Sequence, residues 1–236
     1  MISIIVPAHN ERKNLEVLLP RLVELRDNFV VEIVVALSSK NSDDSENILI
    51  DDQLKLVKCS QKGRAAQMNC AAELAKGDIL VFLHADVRPP KSFLNDIKET
   101  LHNGYDAGFF SYRFDKKSFL LKINASFTGR DGIFTGGGDQ CLFIKKHVFN
   151  NLGKFDEDQV LMEDFEFFER MKKNDVRYRI IKNDLIVSAR KYRNNSYLRV
   201  NLSNMLLVVL FKFGYPPKKL KSLHNRLLRL PYQNNS

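Results

Sequence analysis

The sequence predicts an α/β fold whose first half is a doubly wound, largely parallel sheet, and three observations carry that expectation. A β-branched run, an amphipathic helix and a second β-branched run open the chain. The same rhythm then repeats as far as residue 86. Finally, Asp78-Ile79-Leu80-Val81-Phe82-Leu83 is a short apolar run of the kind found in a strand covered on both faces, and it delivers His84-Ala85-Asp86 to its carboxyl end.

Taken in order, residues 2–6 and 31–35 are β-branched runs bounded by polar or Pro-containing turns, and 54–58 is a third strand. Between the first two, Leu15, Leu18, Leu19 and Leu22 keep the i, i+3, i+4, i+7 spacing of a helix, with Pro20 inside it as a bend. A basic loop at 61–64 leads into a helix marked by Met68, Ala72 and Ala75. Beyond Asp86 the rhythm changes to a helix over 91–102, an aromatic strand over 107–114, a looser stretch, and the loop Gly136-Gly137-Gly138. A strand over 140–145 follows, then a helix over 163–174 with acids in its first turn, where the helix dipole favours them. Residues 176–188 read as two short strands around Asn183-Asp184, and helices over 197–213 and 217–230 close the chain. No repeat or linker interrupts it. One domain over 1–236 is expected, with a doubly wound half at 1–100, of a kind frequently used to bind nucleotides, a second half at 101–190 and basic helices at 191–236.

With 236 residues, 44% of them hydrophobic, the chain is long enough for one substantial core and has no disordered bias. Cys59, Cys70 and Cys141 lack disulfide or metal spacing and read as small buried hydrophobes, which suits a reducing cytoplasm. No signal-peptide pattern or membrane-spanning run is present. The net charge of +9 is uneven, because residues 170–236 hold 16 Lys or Arg against only Asp175 and Asp184. Such a tail suits a solvated surface, an anionic membrane surface at the inner face of the membrane, or phosphorylated substrates. Nucleic acid is the weakest partner, since no helix-turn-helix, zinc-finger or RNP signature accompanies the charge. Leu206, Val209, Leu210 and Phe213 form an apolar stripe suited to the core, a homodimer or lipid, with core or dimer favoured.

Three acidic positions stand out as chemistry: Glu11 after the first strand, Asp86 after the strand ending at Leu83, and the Glu163-Asp164 pair. The carboxyl ends of neighbouring parallel strands converge on one crevice, so Glu11 and Asp86 are expected to be close, with Asp86 placed to hold a divalent ion. The glycine loop provides a return path that brings in the third position, and lets backbone approach a ligand closely.

The segments VPAHNE, GRAAQMNCAA, FLHADVRPP, GGGDQCLF and GKFDEDQVLMEDFEFFERMKK, in that order, resemble the family 2 glycosyltransferases of the GT-A fold, and in particular a small bacterial subgroup with a HAD signature. The resemblance implies an enzyme performing metal-assisted, inverting hexosyl or related transfer from a nucleotide-sugar donor to an unknown hydroxyl acceptor. It places Pro7, His9 and Glu11 beside the nucleotide, Lys62 and Arg64 in the basic loop next to it, and Asp86 on Mg2+ or Mn2+, with His84 in place of the motif's first acid and Ala85 between them. Asp164 corresponds to the general base, with Glu163 adjacent. Gly138, Asp139 and Gln140 fall where acceptor and donor sugar are met, and Arg190 reaches toward the diphosphate.

One departure stands against this pattern. Relatives carry VVDGGSTDGT after the second strand, where the first Asp reads the base, and this chain has VVALSSKNSDDS, with Ala36 and Leu37 there. Three readings stay open: Ser38, Ser39 or Asp43 substitutes, the pocket prefers a different nucleotide, or donor binding is weak. Two rivals therefore stand beside the transferase: a degenerate relative that binds nucleotide or partner without catalysis, and a sugar-phosphate nucleotidyltransferase. The latter class carries a glycine-rich loop after the first strand, which AHNERKN lacks.

Overall fold

In the computed structural model, which describes residues 1–26, 29–48, 54–61, 63–132 and 134–229, side-chain alternation along the first strand, β1 (Ile2–Ala8), sets the layering. Ile2, Ile4, Val6 and Ala8 enter one core and Ile5 enters another, the two-residue period of a strand buried on both faces. Helix α1 (Arg12–Arg26) contributes Leu15, Leu18, Leu19 and Leu22 to the first core, and Pro20 lies inside that helix. Strands β2 (Val31–Ser38), β3 (Leu54–Cys59) and β4 (Ile79–Phe82), with α2 (Arg64–Leu74) on the opposite face, complete the strand-helix half. β1 runs parallel to both β2 and β4, and β2 parallel to β3.

The second half extends the same sheet. Its elements are β5 (Val87–Arg88), α3 (Phe93–His102), β6 (Ala107–Phe114), α4 (Phe119–Ser126), β7 (Phe143–Lys145), α5 (Lys146–Asn151), α6 (Glu163–Lys173) and β8 (Tyr178–Val187), followed by α7 (Tyr197–Lys212) and α8 (Pro217–Leu227). Among the described residues eight strands form the sheet, in the order β3-β2-β1-β4-β7-β6-β8-β5. β7 is antiparallel to β4 and β6, β8 is parallel to β6, and β5 is antiparallel to β8. Phe93, Leu94 and Ile97 place α3 beside α1 in the first core, whereas Phe149 of α5 and Phe167, Phe168 and Met171 of α6 join the second. Phe155 is wedged between Phe82 and Phe167, with ring centroids 4.9 Å from each, so the end of β4 and the start of α6 are fixed through one aromatic cluster.

The structure corrects several expectations. β2 runs on to Ser38, so Ala36 and Leu37 are fully buried strand residues paired with Pro7 and Ala8. The strand expected over 140–145 begins only at Phe143, because Gly138–Gln140 forms a 3-10 turn and Cys141 takes a positive φ of 53°. Residues 176–188 give one strand, not two. A register shift against β6 absorbs Asn183 and Asp184, whose side chains are satisfied by Ser92, Asp96 and Ser111. The looser stretch after β6 contains α4, and α5 was also unforeseen. The α7 stripe does not enter the core. Leu206 and Val209 are exposed and Phe213 is 86% exposed, while the buried side is Val200, Ser203, Leu207 and Val208; a helix apolar all round leaves the choice of face to its neighbours. Among the described residues no helix is long and apolar enough to cross a membrane. Lys62 and Leu230, the latter expected to end the last helix, fall outside the described residues.

Candidate active site

The carboxyl end of β4 is extended by one bond, Leu83 N to Ile5 O at 2.9 Å, before Val87 N closes on His84 O at 3.1 Å. The resulting tight turn holds Ala85 buried and aims His84 and Asp86 into the crevice beyond the strand ends. There Arg190 Nε lies 3.1 Å from Asp86 Oδ2, and the same guanidinium donates to both Glu11 oxygens at 2.8 and 3.2 Å. A fork-shaped cation thus joins two carboxylates from different strand ends. Arg190 is placed by β8, whose Val187 pairs with Val87, and by Ser188, whose Oγ accepts from Arg190 N.

His84 leads to a second charged group. Arg64, the first residue of α2, reaches Glu163 through Nε, Asp164 Oδ2 through a terminal nitrogen at 3.4 Å, and His84 Nε2 at 3.3 Å. His84 Nδ1 lies 3.6 Å from Asp139 Oδ1, and Lys191 Nζ lies 3.9 Å from the other Asp139 oxygen. Met162, just before α6, has a positive φ of 68°, an uncommon conformation for a residue with a side chain, and this sharp entry turns Glu163 and Asp164 inward. Gly138 lies between His84 and Asp164. A Cβ there would collide with the imidazole and stand 2.5 Å from Asp164 Oδ2, so only glycine lets this loop close in. Phe82, His84, the 136–138 loop, Leu142 and Asp164 line a small cleft.

The charges divide the acids into unlike roles. Burial first, then the like charges of Glu163 and Asp139, push the Asp164 carboxyl up to about 6 against the pull of Arg64 and His84. Glu163 goes the other way: although burial opposes it, contact with Arg64 holds its carboxyl below the usual range. Asp139 is likewise held low against burial, by Lys191, His84 and Arg64. One carboxylate therefore titrates near neutrality while its two neighbours stay ionised.

Other predicted residues stand apart or serve as braces. Pro7 is buried in β1, opposite Ala36, and His9 is exposed at the strand's end. Ser38 is half-buried, with its Oγ 3.3 Å from Lys40 N, and Ser39 is exposed. Asp43 accepts from Arg12 N and Asn41 Nδ2 at 2.7 and 2.9 Å, so its carboxylate fastens the loop. Gln140, expected to meet a sugar, is buried instead. Its amide accepts from Gly136 N and donates to Thr128 O, both at 2.9 Å, spanning the loop it terminates. Lys191 was not foreseen. Its adjacency to Arg190 in SARKY was the available signal, and a lone surface lysine gives little more. Tyr112 was missed as well; its hydroxyl is pushed up by burial and then by Asp139. Among the described residues no three His, Cys, Asp or Glu side chains are gathered as a metal cage.

The chain belongs to glycosyl transferase family 2, whose model matches residues 3–150 and so takes in Glu11, Arg64, His84, Asp86 and Asp139. Glu163, Asp164 and Arg190 lie beyond the match. Among curated relatives it is 25% identical over 141 residues to an uncharacterized glycosyltransferase, sll0501, of Synechocystis, covering 55% of this chain and 44% of that protein. It is 30% identical over 114 residues to an undecaprenyl-phosphate 4-deoxy-4-formamido-L-arabinose transferase of Aeromonas hydrophila, covering 45% and 35%. The chain thus spans less than half the length of either. The mannosyltransferase PcManGT of Pyrobaculum calidifontis, solved with GDP-Man and Mn2+, superposes with a TM-score of 0.66 at 20% identity over 96% of this chain and 68% of that one. This likeness gives the fold, which is the GT-A fold.

Proposed function

We propose that the protein is an inverting glycosyltransferase that moves a sugar from a nucleotide-diphosphate sugar to an acceptor hydroxyl, with Asp164 as general base. The observation that carries this reading is the Asp164 carboxyl, raised to about 6 at the wall of the cleft beside His84 and Gly138. A base with a pKa just below the working pH is mostly ionised yet still basic enough to take a proton in the transition state. Glu163, bound to Arg64, keeps its negative charge beside Asp164 and so sustains that basicity. As the acceptor oxygen attacks the anomeric carbon from the face opposite the nucleotide, its proton passes to Asp164, and a single displacement inverts the centre. Arg190 would meet the leaving diphosphate by exchanging its carboxylate partners for phosphate oxygens.

A divalent ion also suits the donor set. Magnesium-type sites commonly use one or two carboxylates and are completed by substrate phosphates and water. Asp86 would hold Mg2+ or Mn2+, with Glu11 a second carboxylate at hand, since both touch the same Arg190 guanidinium. The bound ion would supply neutralisation of the departing diphosphate.

The test is a thermal-shift screen of UDP, GDP, CDP and dTDP sugars with and without Mn2+, followed by turnover assays. Asp86→Ala is expected to remove the metal-dependent part of the shift, and Asp164→Asn to keep the shift and lose turnover. The opposite pattern would exchange the two roles. A second reading, a relative that binds nucleotide without catalysis, is favoured by the burial of Ala36 and Leu37, which leaves no carboxylate for the base at that point of β2. Failure to transfer or hydrolyse any sugar in the panel would favour that reading.

A further inference from the structure

The exposed side of α7 is an ordered apolar stripe. Leu198, Leu202, Met205, Leu206, Val209 and Phe213 recur at i, i+4, i+7, i+8, i+11 and i+15, and each is at least 39% exposed. At about 100° per residue they fall within a single arc of about 100°. α4 and the residue after it repeat the arrangement, with Phe119, Leu120, Ile123 and Phe127 exposed and Leu121 buried. The helices meet at one point, where Asn124 Nδ2 donates to Asn201 Oδ1 at 2.7 Å. In each helix that asparagine sits between the exposed stripe and the buried side, so both apolar faces turn outward together. Soluble proteins seldom leave a contiguous surface of this kind without an occupant.

The charge around the face identifies the occupant. Neither helix contains Asp or Glu, and residues 185–236 contain none at all. Arg199 and Lys212 fall on opposite edges of the α7 stripe, and the exposed Lys116, Lys117 and Lys122 border α4. We propose that this two-helix face seats the protein on the surface of an anionic lipid bilayer, with the phenylalanines and leucines in the acyl boundary and the cations among the headgroups. A second copy of the chain fits less well, because apposed faces would bring two cationic rims together. The face is coupled to the candidate site at two points. Thr128 O, just beyond α4, accepts from Gln140, and Asn124 Nδ2 donates to Tyr192 Oη at 3.3 Å, in the same turn as Arg190. The docking does not depend on the transferase reading.

The experiment is co-sedimentation of the full chain with phosphatidylcholine vesicles, with and without phosphatidylglycerol. Binding to the anionic vesicles that weakens with salt, and none to phosphatidylcholine alone, is expected. The double variant Leu202→Ser, Phe213→Ser should lower the partition at least about tenfold with an unchanged melting temperature, since both side chains are already in solvent. Lys122→Glu with Lys212→Glu, both exposed, should lower it through charge alone. The proposal is overturned if the folded chain stays in solution with anionic vesicles, or if the serine variant binds as the parent does. It is also overturned if sedimentation equilibrium reveals a dimer that the serine variant splits, which would make the face a self-interface.

Discussion

Arg190 Nε lies 3.1 Å from Asp86 Oδ2, so the residue expected to hold a metal is already joined to a cation of the protein's own. The guanidinium and a divalent ion compete for the same carboxylate. Arg190→Gln is therefore expected to strengthen Mn2+ binding to the nucleotide-free protein several-fold and to weaken nucleoside diphosphate binding. Isothermal titration with each ligand alone measures both, and a loss of both affinities together would mean that Arg190 only supports the fold.

The acid limb of the rate profile should reflect Asp164. With its carboxyl near 6, kcat/KM is expected to fall as pH drops through about 6, because the protonated acid cannot accept the acceptor's proton. Asp164→Asn should lower kcat about 10²–10⁴-fold, the usual range for removal of a general base. A profile flat from pH 5 to 8 would exclude the role.

The same residue should cost the fold some stability. Its carboxyl lies near 6 in the folded chain against an ordinary 3.8, so the folded state favours the protonated form. Stability is then lost as pH rises from about 4 through 6, and the loss is complete above that. Asp164→Asn should therefore raise stability at pH 8 by roughly 1–3 kcal/mol and bring no gain below pH 4. Urea unfolding at the two pH values tests this, and a destabilised variant at pH 8 would contradict it.

Gly138→Ala should show how tightly the loop is fitted. The added methyl meets His84 and Asp164, so about 1–3 kcal/mol of overpacking strain is expected, with a larger fractional loss in turnover than in nucleotide binding. Melting curves combined with separate kcat and KM values distinguish this from general unfolding.

Much of this architecture is legible in the residues. Apolar runs and helical spacing fix β1, α1, β2 and β4, and the placing of Asp86 at a strand end follows from them. Legibility fails where backbone geometry overrides pattern. Nothing in QCLF announces that Cys141 adopts a positive φ, and nothing in Asn183-Asp184 distinguishes a strand break from a bulge whose side chains find partners 73 to 91 residues away. Site roles are less legible still. Glu163 and Asp164 are chemically equivalent neighbours in sequence, and only the position of Arg64 fixes one as an anion and leaves the other to titrate. Gln140 looks as ready for a ligand as any surface amide until both its ends are seen to be occupied.

The pairing of Val87 with Val187 makes Arg190's position a matter of strand alignment rather than chain length. Sliding one ribbon past the other by two residues would carry the arginine about 7 Å from its acids, yet would keep every side chain on its original face. Burial alone would not penalise such a slip. The bulge opposite Ser111 marks the alignment, so insertions in the loops of the long excursion between the paired valines should leave the clamp intact, whereas deletion of Asn183 or Asp184 should dismantle it.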